Sequence, residues 1–572
     1  MKRLNMIFAL LLSAGVFIGC DSFLDTENLT KKDTSNFAKS ELDAKQMVTG
    51  IYTVMNNGLT DPESDPFFVF ELAGDDRLGG GSQSNVGAQS CDRIMNWELS
   101  AFERFWETRY QGIFRANSAI ATMDNVTEWT SEKTKNHLLS EVYFLRGFYY
   151  FQLAQVFGEV PLVVTTVAEN LPKAAADEIY AQIASDLKMA IELGSEAKWP
   201  ALEVGHATKW VAEAIMARVW LFYTGFYKKS ELPLVEGGSV TKDQVVSWLE
   251  DCIQNSGHEL VSDFRLMWSY TNSATKKDYA YAQQVEGTWI TDDVNPEAMF
   301  QICVTNLAES SRFCNKYNQY LGVRKRSNWE TNAFPFGRGY GWATVNPYVW
   351  EKWGEEEPND IRRAASIWNL ADEGNADYTW GNDQQMEETG FWQKKYQTWG
   401  AIVDGTFYYE FSSVPEYGGT GTDLGRGHSP QNIQLIRFAD VLLMHSELTQ
   451  TVDGINRVRA RVNLPAIGSY SWEALEKERR HELAFEAIRW TDMRRYGKEY
   501  AKAALATQLG GTIRNAAGAE QPMKDQGPGY VARYEATYGF RPFPQSEISL
   551  SNGALKQNAG WTGADSKYAG WK

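Results

Sequence analysis

Through much of residues 106–221 an apolar residue returns every three or four positions, and the later runs each stop at a glycine. That period aligns one face of a helix toward a core, and glycine with a nearby proline ends the helix. Trp106, Tyr110, Ile113, Asn117 and Ile120 make the first stripe. Leu138, Val142, Leu145, Tyr149, Leu153 and Val156 make the second, halted by Gly158 with Pro161 just beyond. Ile179, Ile183, Leu187 and Ile191 form a third, closed by Gly194. Val211, Ala214, Ile215, Arg218 and Leu221 form a fourth, closed by Gly225. Short turns between these stripes, with Ala207, Ala214 and Ala217 at tight contacts, predict helical hairpins stacked as in tetratricopeptide arrays. The spacing is too irregular for a regular repeat of about 34 residues.

From about Ser230 to Gln431 the helical period fades, Gly and Asn turns multiply, and aromatics crowd in. Nine of the 21 Trp lie between Trp289 and Trp399, so long loops carrying flat apolar rings are expected there, and loops on a rigid scaffold are where binding groups sit. Helices return from Gln434 to the Gly497 region, and a Gly-rich tail follows to Lys572. A chain of 572 residues exceeds the usual single core, so two intimately packed subdomains or a long repeat are expected.

The net charge of -17 opposes phosphate backbones and anionic lipid, which excludes nucleic acid as an expected partner. Membrane attachment must then come from something else. Lys2 and Arg3 precede an apolar run, Met6 to Gly19, too short to span a bilayer and ending in Phe17-Ile18-Gly19-Cys20. This reads as a lipoprotein signal over 1–19, with Cys20 lipidated and residues 20–40 a polar tether, so the mature chain is anchored rather than spanning. Of the other cysteines, Cys91, Cys252, Cys303 and Cys314 allow three pairings, Cys303 with Cys314 being the most local.

Motifs that carry chemistry are weak. Phe485 stands where a His-Glu-x-x-His zinc helix starting at His481 needs its second histidine, and no Cys-x-x-Cys spacing occurs, so no metal and no cofactor are expected. Gly79-Gly80-Gly81 and Gly418-Gly419-Thr420-Gly421 lack the Lys-Ser/Thr of a phosphate loop and read as flexible loops. No Gly-x-Ser-x-Gly elbow is present. Glu478, Glu482 and Glu486 recur every four residues, a repelling stripe that persists in a core only if cations meet it. Arg437, Arg457 and Arg459 are the expected partners.

Three blocks point to a family. The first is Tyr143-Phe144-Leu145-Arg146-Gly147-Phe148-Tyr149-Tyr150-Phe151, continuing through Val156-Phe157-Gly158-Glu159-Val160-Pro161-Leu162-Val163. The second joins Leu435-Ile436-Arg437-Phe438-Ala439-Asp440 to Ile455-Asn456-Arg457-Val458-Arg459. The third runs Glu478-Arg479-Arg480-His481-Glu482-Leu483-Ala484-Phe485-Glu486, then Arg489-Trp490-Thr491-Asp492 to Gly497, with Thr491 where Phe is commoner. With a closing Pro542-Phe543-Pro544-Gln545 and Gln557-Asn558-Ala559-Gly560-Trp561, the chain resembles the SusD/RagB family of outer-membrane nutrient-binding lipoproteins.

The resemblance implies a mostly α fold, with tetratricopeptide-like hairpins packed against an irregular loop-rich region with minor β. It divides the chain into an N-terminal helical region, 41–229, and a C-terminal region, 230–572, holding the ligand-binding insert. It implies a non-enzymatic surface protein that binds oligosaccharide or polysaccharide and delivers it to a SusC-like TonB-dependent transporter. A peptide-binding RagB type and a surface glycoside hydrolase are the alternatives. Sugar rings need flat aromatic platforms edged by hydrogen-bonding groups. The expected ligand-binding residues are Asp75, Asp76, Arg77, Asn96 and Trp97 in the first half, and Trp289, Trp329, Tyr340 and Trp342 in the second.

Overall fold

The computed structural model describes residues 38–570 apart from 61–64, 97, 202, 305–314, 325–333, 375–377, 382–383, 418–428 and 517. The first helices are α1 (Glu41–Thr60), α2 (Pro66–Ala73), α3 (Val86–Asp92) and α4 (Glu103–Thr122). Then come α5 (Glu132–Phe157), α6 (Ala176–Leu193), α7 (Lys209–Tyr227) and α8 (Lys242–Asn255). The four predicted stripes are the buried faces of α4 to α7.

Side chains at the helix starts take up orphaned backbone donors. Ser131 accepts from the Thr134 N–H at 3.1 Å, Thr208 from Val211, and Thr241 from Gln244 within a capping box. Gly158 closes α5 at φ +77, which glycine adopts without a Cβ penalty. Gly225 does not end α7, which continues to Tyr227. Its role is close packing: a Cβ there would meet the Arg495 carbonyl oxygen at 2.6 Å. Gly112 likewise lets the Tyr149 ring of α5 pack onto α4, where a Cβ would sit 2.5 Å from the ring.

Consecutive helices from α4 to α8 pack pairwise. The array then continues with a segment distant in sequence, since α8 packs on α9 (Phe438–Thr449), and α9 packs on α10 (Asp453–Arg461) and α11 (Trp472–Glu482). Helix α12 (Arg489–Tyr496) returns to α7. The expected border at residues 229/230 is therefore not a packing border, because one hydrophobic core runs through both sides of it.

Strands are short and pair in twos among the described residues. Strand β1 (Arg77–Gly80) pairs antiparallel with β3 (Trp342–Val345), Arg77 opposite Val345. Strand β2 (Ala298–Ile302) pairs with β4 (Ile433–Arg437), whose end starts α9. Mostly helical hairpins with minor β is thus the observed architecture.

The acidic stripe is buried and met by cations. Helix α11 ends at Glu482, and Glu486 follows in a turn where Phe485 and Ala487 take φ of +64 and +59. Glu478 contacts Arg362 at 2.6 Å and Arg459 at 3.1 Å. Glu482 meets Arg362 at 3.0 Å, Arg437 at 3.1 Å and also Arg461. Glu486 pairs with Lys395 and Arg437, both at 2.6 Å. Arg437 and Arg459 are partners as expected. Arg457 is not: its guanidinium lies over the Phe438 ring, 5.4 Å from the centroid. Such a network holds because every charge has an opposite neighbour and directed hydrogen bonds.

Cys91, Cys252 and Cys303 form no disulfide with one another, while Cys314 and Cys20 lie outside the described residues. No helix of the described residues is long and apolar enough to cross a membrane.

Candidate functional site

Five of the expected ligand-binding residues are in the interior, and this corrects their assignment. Asp75 receives Arg489 at 2.7 Å and 3.0 Å and Arg480 at 3.0 Å, and Asp76 receives Arg480 at 2.7 Å. Arg77 pairs with Glu71 at 2.6 Å, donates to the Ala343 carbonyl at 2.8 Å, and lies 4.5 Å over the Phe485 ring. These charges staple α2 and β1 to the α11–α12 turn, and their burial keeps them out of reach of a sugar hydroxyl. Trp342 is 2 % exposed, packed by Phe68 and Tyr320 at centroid distances of 5.3 and 4.9 Å. Trp289 is 8 % exposed with Phe411 edge-on at 5.8 Å. An indole enclosed in this way has no free face on which a sugar ring could stack.

Tyr340 and Asn96 do reach the surface. Tyr340 is 37 % exposed, stands edge-on to Tyr320 at 5.2 Å, and its carbonyl accepts from Arg324 at 2.8 Å. Asn96 is half-buried, its backbone bonded to Ser566 at 2.7 Å and Tyr568 at 2.8 Å. Trp97 and Trp329 lie outside the described residues, as does Gly418-Gly419-Thr420-Gly421.

The other glycine run is not a flexible loop but a packed corner. A Cβ at Gly79 would meet the Gln89 Cα at 2.6 Å, and one at Gly80 the Gly341 carbonyl oxygen at 2.5 Å. Gly80 and Gly81 both have left-handed φ, +65 and +71. The Gly81 N–H donates to the Gly341 carbonyl at 2.7 Å, and Met386 N–H to the Gly81 carbonyl at 2.7 Å. Beneath the corner, Glu387 accepts from Gly80 N–H at 2.8 Å and pairs with Arg93. Asp92 accepts from Gly79 N–H at 3.2 Å and the Tyr530 hydroxyl at 2.8 Å. Burial pushes the Asp92 carboxyl up to about 8, against the pull of Arg93 and with the push of Glu387.

Against this fixed floor lies a groove of about 630 Å³. Gln83, Met95, Met386, Gln521, Gln526, Lys567 and Tyr568 line it. Its walls come from the corner after β1, the 512–522 hairpin and the last residues before 570. Asn96 sits at its rim, bridged to Lys567. Next to the lining residue Asn515, Arg514 holds Trp380, its guanidinium 4.2 Å over the indole of that half-buried residue. The rim therefore combines a partly open aromatic, Trp380, with amide and ammonium groups, the pattern that holds a ring by stacking and its edge by hydrogen bonds. Among the described residues lining the groove Asp525 is the one carboxylate, and it accepts from Tyr530 N–H at 3.0 Å. No group of three or more His, Cys, Asp or Glu poised for a metal occurs among the described residues.

Trp380 lies in the Trp-rich stretch but carries no local sign of exposure, and Gln83, Gln521 and Lys567 are met only through long-range folding. Nothing in the sequence near them marks a site.

Residues 22–221 match a family model described as "Starch-binding associating with outer membrane", and residues 308–561 match the SusD family model. A SusD-like protein P2 of Formosa agariphila is 23% identical, over 98% of this chain and 100% of its own length. A SusD-like protein of Bacteroides ovatus is 23% identical over 68% of this chain, which spans 64% of that relative's length. Among solved structures, a laminarin binding SusD-like protein superposes with a TM-score of 0.67 at 24% identity, over 91% of this chain and 100% of its own. Surface glycan-binding protein A from Bacteroides thetaiotaomicron, in complex with laminarihexaose, gives 0.65 at 18% identity over 91% and 100%. At these identities the superpositions establish a shared fold.

Proposed function

This chain belongs to the SusD/RagB family, and we propose that it captures glycan chains at the cell surface without altering them. In this reading residues 1–19 direct export, Cys20 carries the lipid that holds the protein to the outer membrane, and 20–40 are the tether. A SusC-like TonB-dependent transporter receives the ligand. Residues 41–229 and 230–572 remain useful labels for the helical and ligand-binding regions, although their packing is continuous.

The observation that carries the reading is the open groove whose floor is locked by Glu387 and Asp92 while its rim offers Trp380, Asn96 and a set of amides. A rigid floor limits the entropy lost on binding, and an open rim accepts a long polymer without enclosing it. Glycoside hydrolysis uses two carboxylates across the scissile bond, and among the described residues that line the groove Asp525 is the one carboxylate. Affinity for a polymer laid in an open groove is expected between roughly millimolar and micromolar, about -4 to -8 kcal/mol. The glycan-binding proteins with the same fold support this ligand class.

Native electrophoresis through gels containing single polysaccharides, with released reducing ends measured in parallel, tests the reading. Retardation by a glycan without hydrolysis is expected. Migration unaffected by every glycan, together with binding of peptide, would replace the glycan by a peptide ligand, and released sugar would end the non-enzymatic reading.

A further inference from the structure

A second groove, about 1070 Å³, opens between the start of α5, the α6–α7 connection and α8, and shares no residue with the loop face. Five carboxylates line it, Glu192, Glu196, Glu213, Glu250 and Asp251, against two ammonium groups, Lys133 and Lys209. Glu213 on α7 is fully buried at its floor, no N–H or hydroxyl donor reaches either of its oxygens, and its carboxyl meets the Asp251 carboxylate. Two carboxyls held against one another repel unless a proton or a cation lies between them, so the pair calls for an explanation. The nearest cation is Lys209, one turn earlier on α7, at 3.8 Å. That ammonium is committed elsewhere, 2.7 Å from Asp251 and 3.6 Å from Glu196. Burial pushes Glu213 up to about 9, with Lys209 opposing and the facing Asp251 and Glu196 adding to it, so the carboxyl carries a proton at neutral pH. On α8 the buried Cys252 thiol lies beside it, and on α5 His137, with Nδ1 unpartnered, also lines the groove.

We propose that this groove binds a primary ammonium group, from a free amine or from a lysyl side chain, which takes over Asp251 and Glu196 while Lys209 moves onto Glu213. Lys209 itself demonstrates that an ammonium fits between these carboxylates. Its flexible stem needs to shift only about 1 Å to turn the 3.8 Å contact into a hydrogen-bonded ion pair. Glu213 then ionises and its proton leaves to solvent, so one cation enters as one proton departs and the groove keeps its net charge. Half-buried Trp248 offers an apolar side for the alkyl chain that carries the ammonium.

Titration calorimetry of the full chain in detergent at pH 7, repeated in two buffers of different ionisation enthalpy, tests this. The probes are 1,4-diaminobutane, Nα-acetyl-lysine N-methylamide and the uncharged 1,4-butanediol. Binding of at least one ammonium probe with about one proton released per bound ammonium is expected, and none of the diol. The tighter of the two ammonium probes tells a free amine from a lysyl side chain. Glu213→Gln should abolish the proton release, and Asp251→Asn should weaken binding by about tenfold or more. Glu213→Gln keeps side-chain volume, and its amide can still donate to Asp251, so its unfolding temperature should match the parent's. Should it fold poorly, Asp251→Asn, at a side chain 31% exposed, carries the test. No heat with either ammonium probe, binding without proton release, or binding indifferent to both substitutions would each overturn the proposal.

Discussion

The turn between α11 and α12 and the groove beside the β1 corner use charged and aromatic residues in opposite ways. Around the turn, Glu478, Glu482, Glu486, Asp75 and Arg77 are buried and each meets a cation or anion at hydrogen-bond distance. Around the groove, Lys567, Gln521 and Gln83 are exposed, and the buried carboxyls, Asp92 and Glu387, are spent on backbone N–H groups of the floor. The difference teaches that a dense charged motif can be scaffold, while the ligand-facing groups are ordinary polar residues delivered by loops. Charges that are fully paired inside hold geometry; binding needs groups whose partners are still solvent.

The sharpest break of that comparison is to strip each region in turn. Glu482→Ala leaves Arg362, Arg437 and Arg461 short of a buried counter-charge and should cost about 3–5 kcal/mol in urea unfolding. Trp342→Ala, which empties a core position, should cost a similar ~3–5 kcal/mol while leaving the affinity of the folded fraction for glycan unchanged. A Trp342 variant that folds normally but loses the ligand would return that indole to the site.

Acid titration separates the regions next. Burial alone would raise Asp492, but Arg479 at 2.9 Å and Arg495 at 2.8 Å outweigh it and bring it down to about 2. A carboxyl depressed in the folded state contributes stability above its unfolded pKa and loses it as pH falls. Stability should therefore drop by about 2–3 kcal/mol between about pH 5 and 2, and Asp492→Asn should flatten that slope in pH-dependent unfolding.

On the other side of the comparison, Trp380→Ala should weaken glycan binding by about 1–3 kcal/mol by affinity electrophoresis, taking the magnitude of stacking on an aromatic ring. Unchanged binding would move the platform away from Trp380. The smallest effect belongs to the helical array: Ser131→Ala removes the 3.1 Å cap of α5 and should lower stability by about 1 kcal/mol with no change in binding.

What depends on neighbours within a helical turn or two was legible in the sequence. The four stripes, the stop at Gly158 and the demand for cations around Glu478 and Glu482 follow from contacts at i+3 and i+4, and these are in the structure. Tertiary structure alone decided which polar and aromatic side chains stay in water. Asp75 meets Arg489, 414 positions away; Gly225 is read by Arg495 rather than by its own helix; Trp342 and Trp380 share composition and context, yet only the first is enclosed. Burial is a property of what folds against a residue, and at such separations no local pattern encodes it.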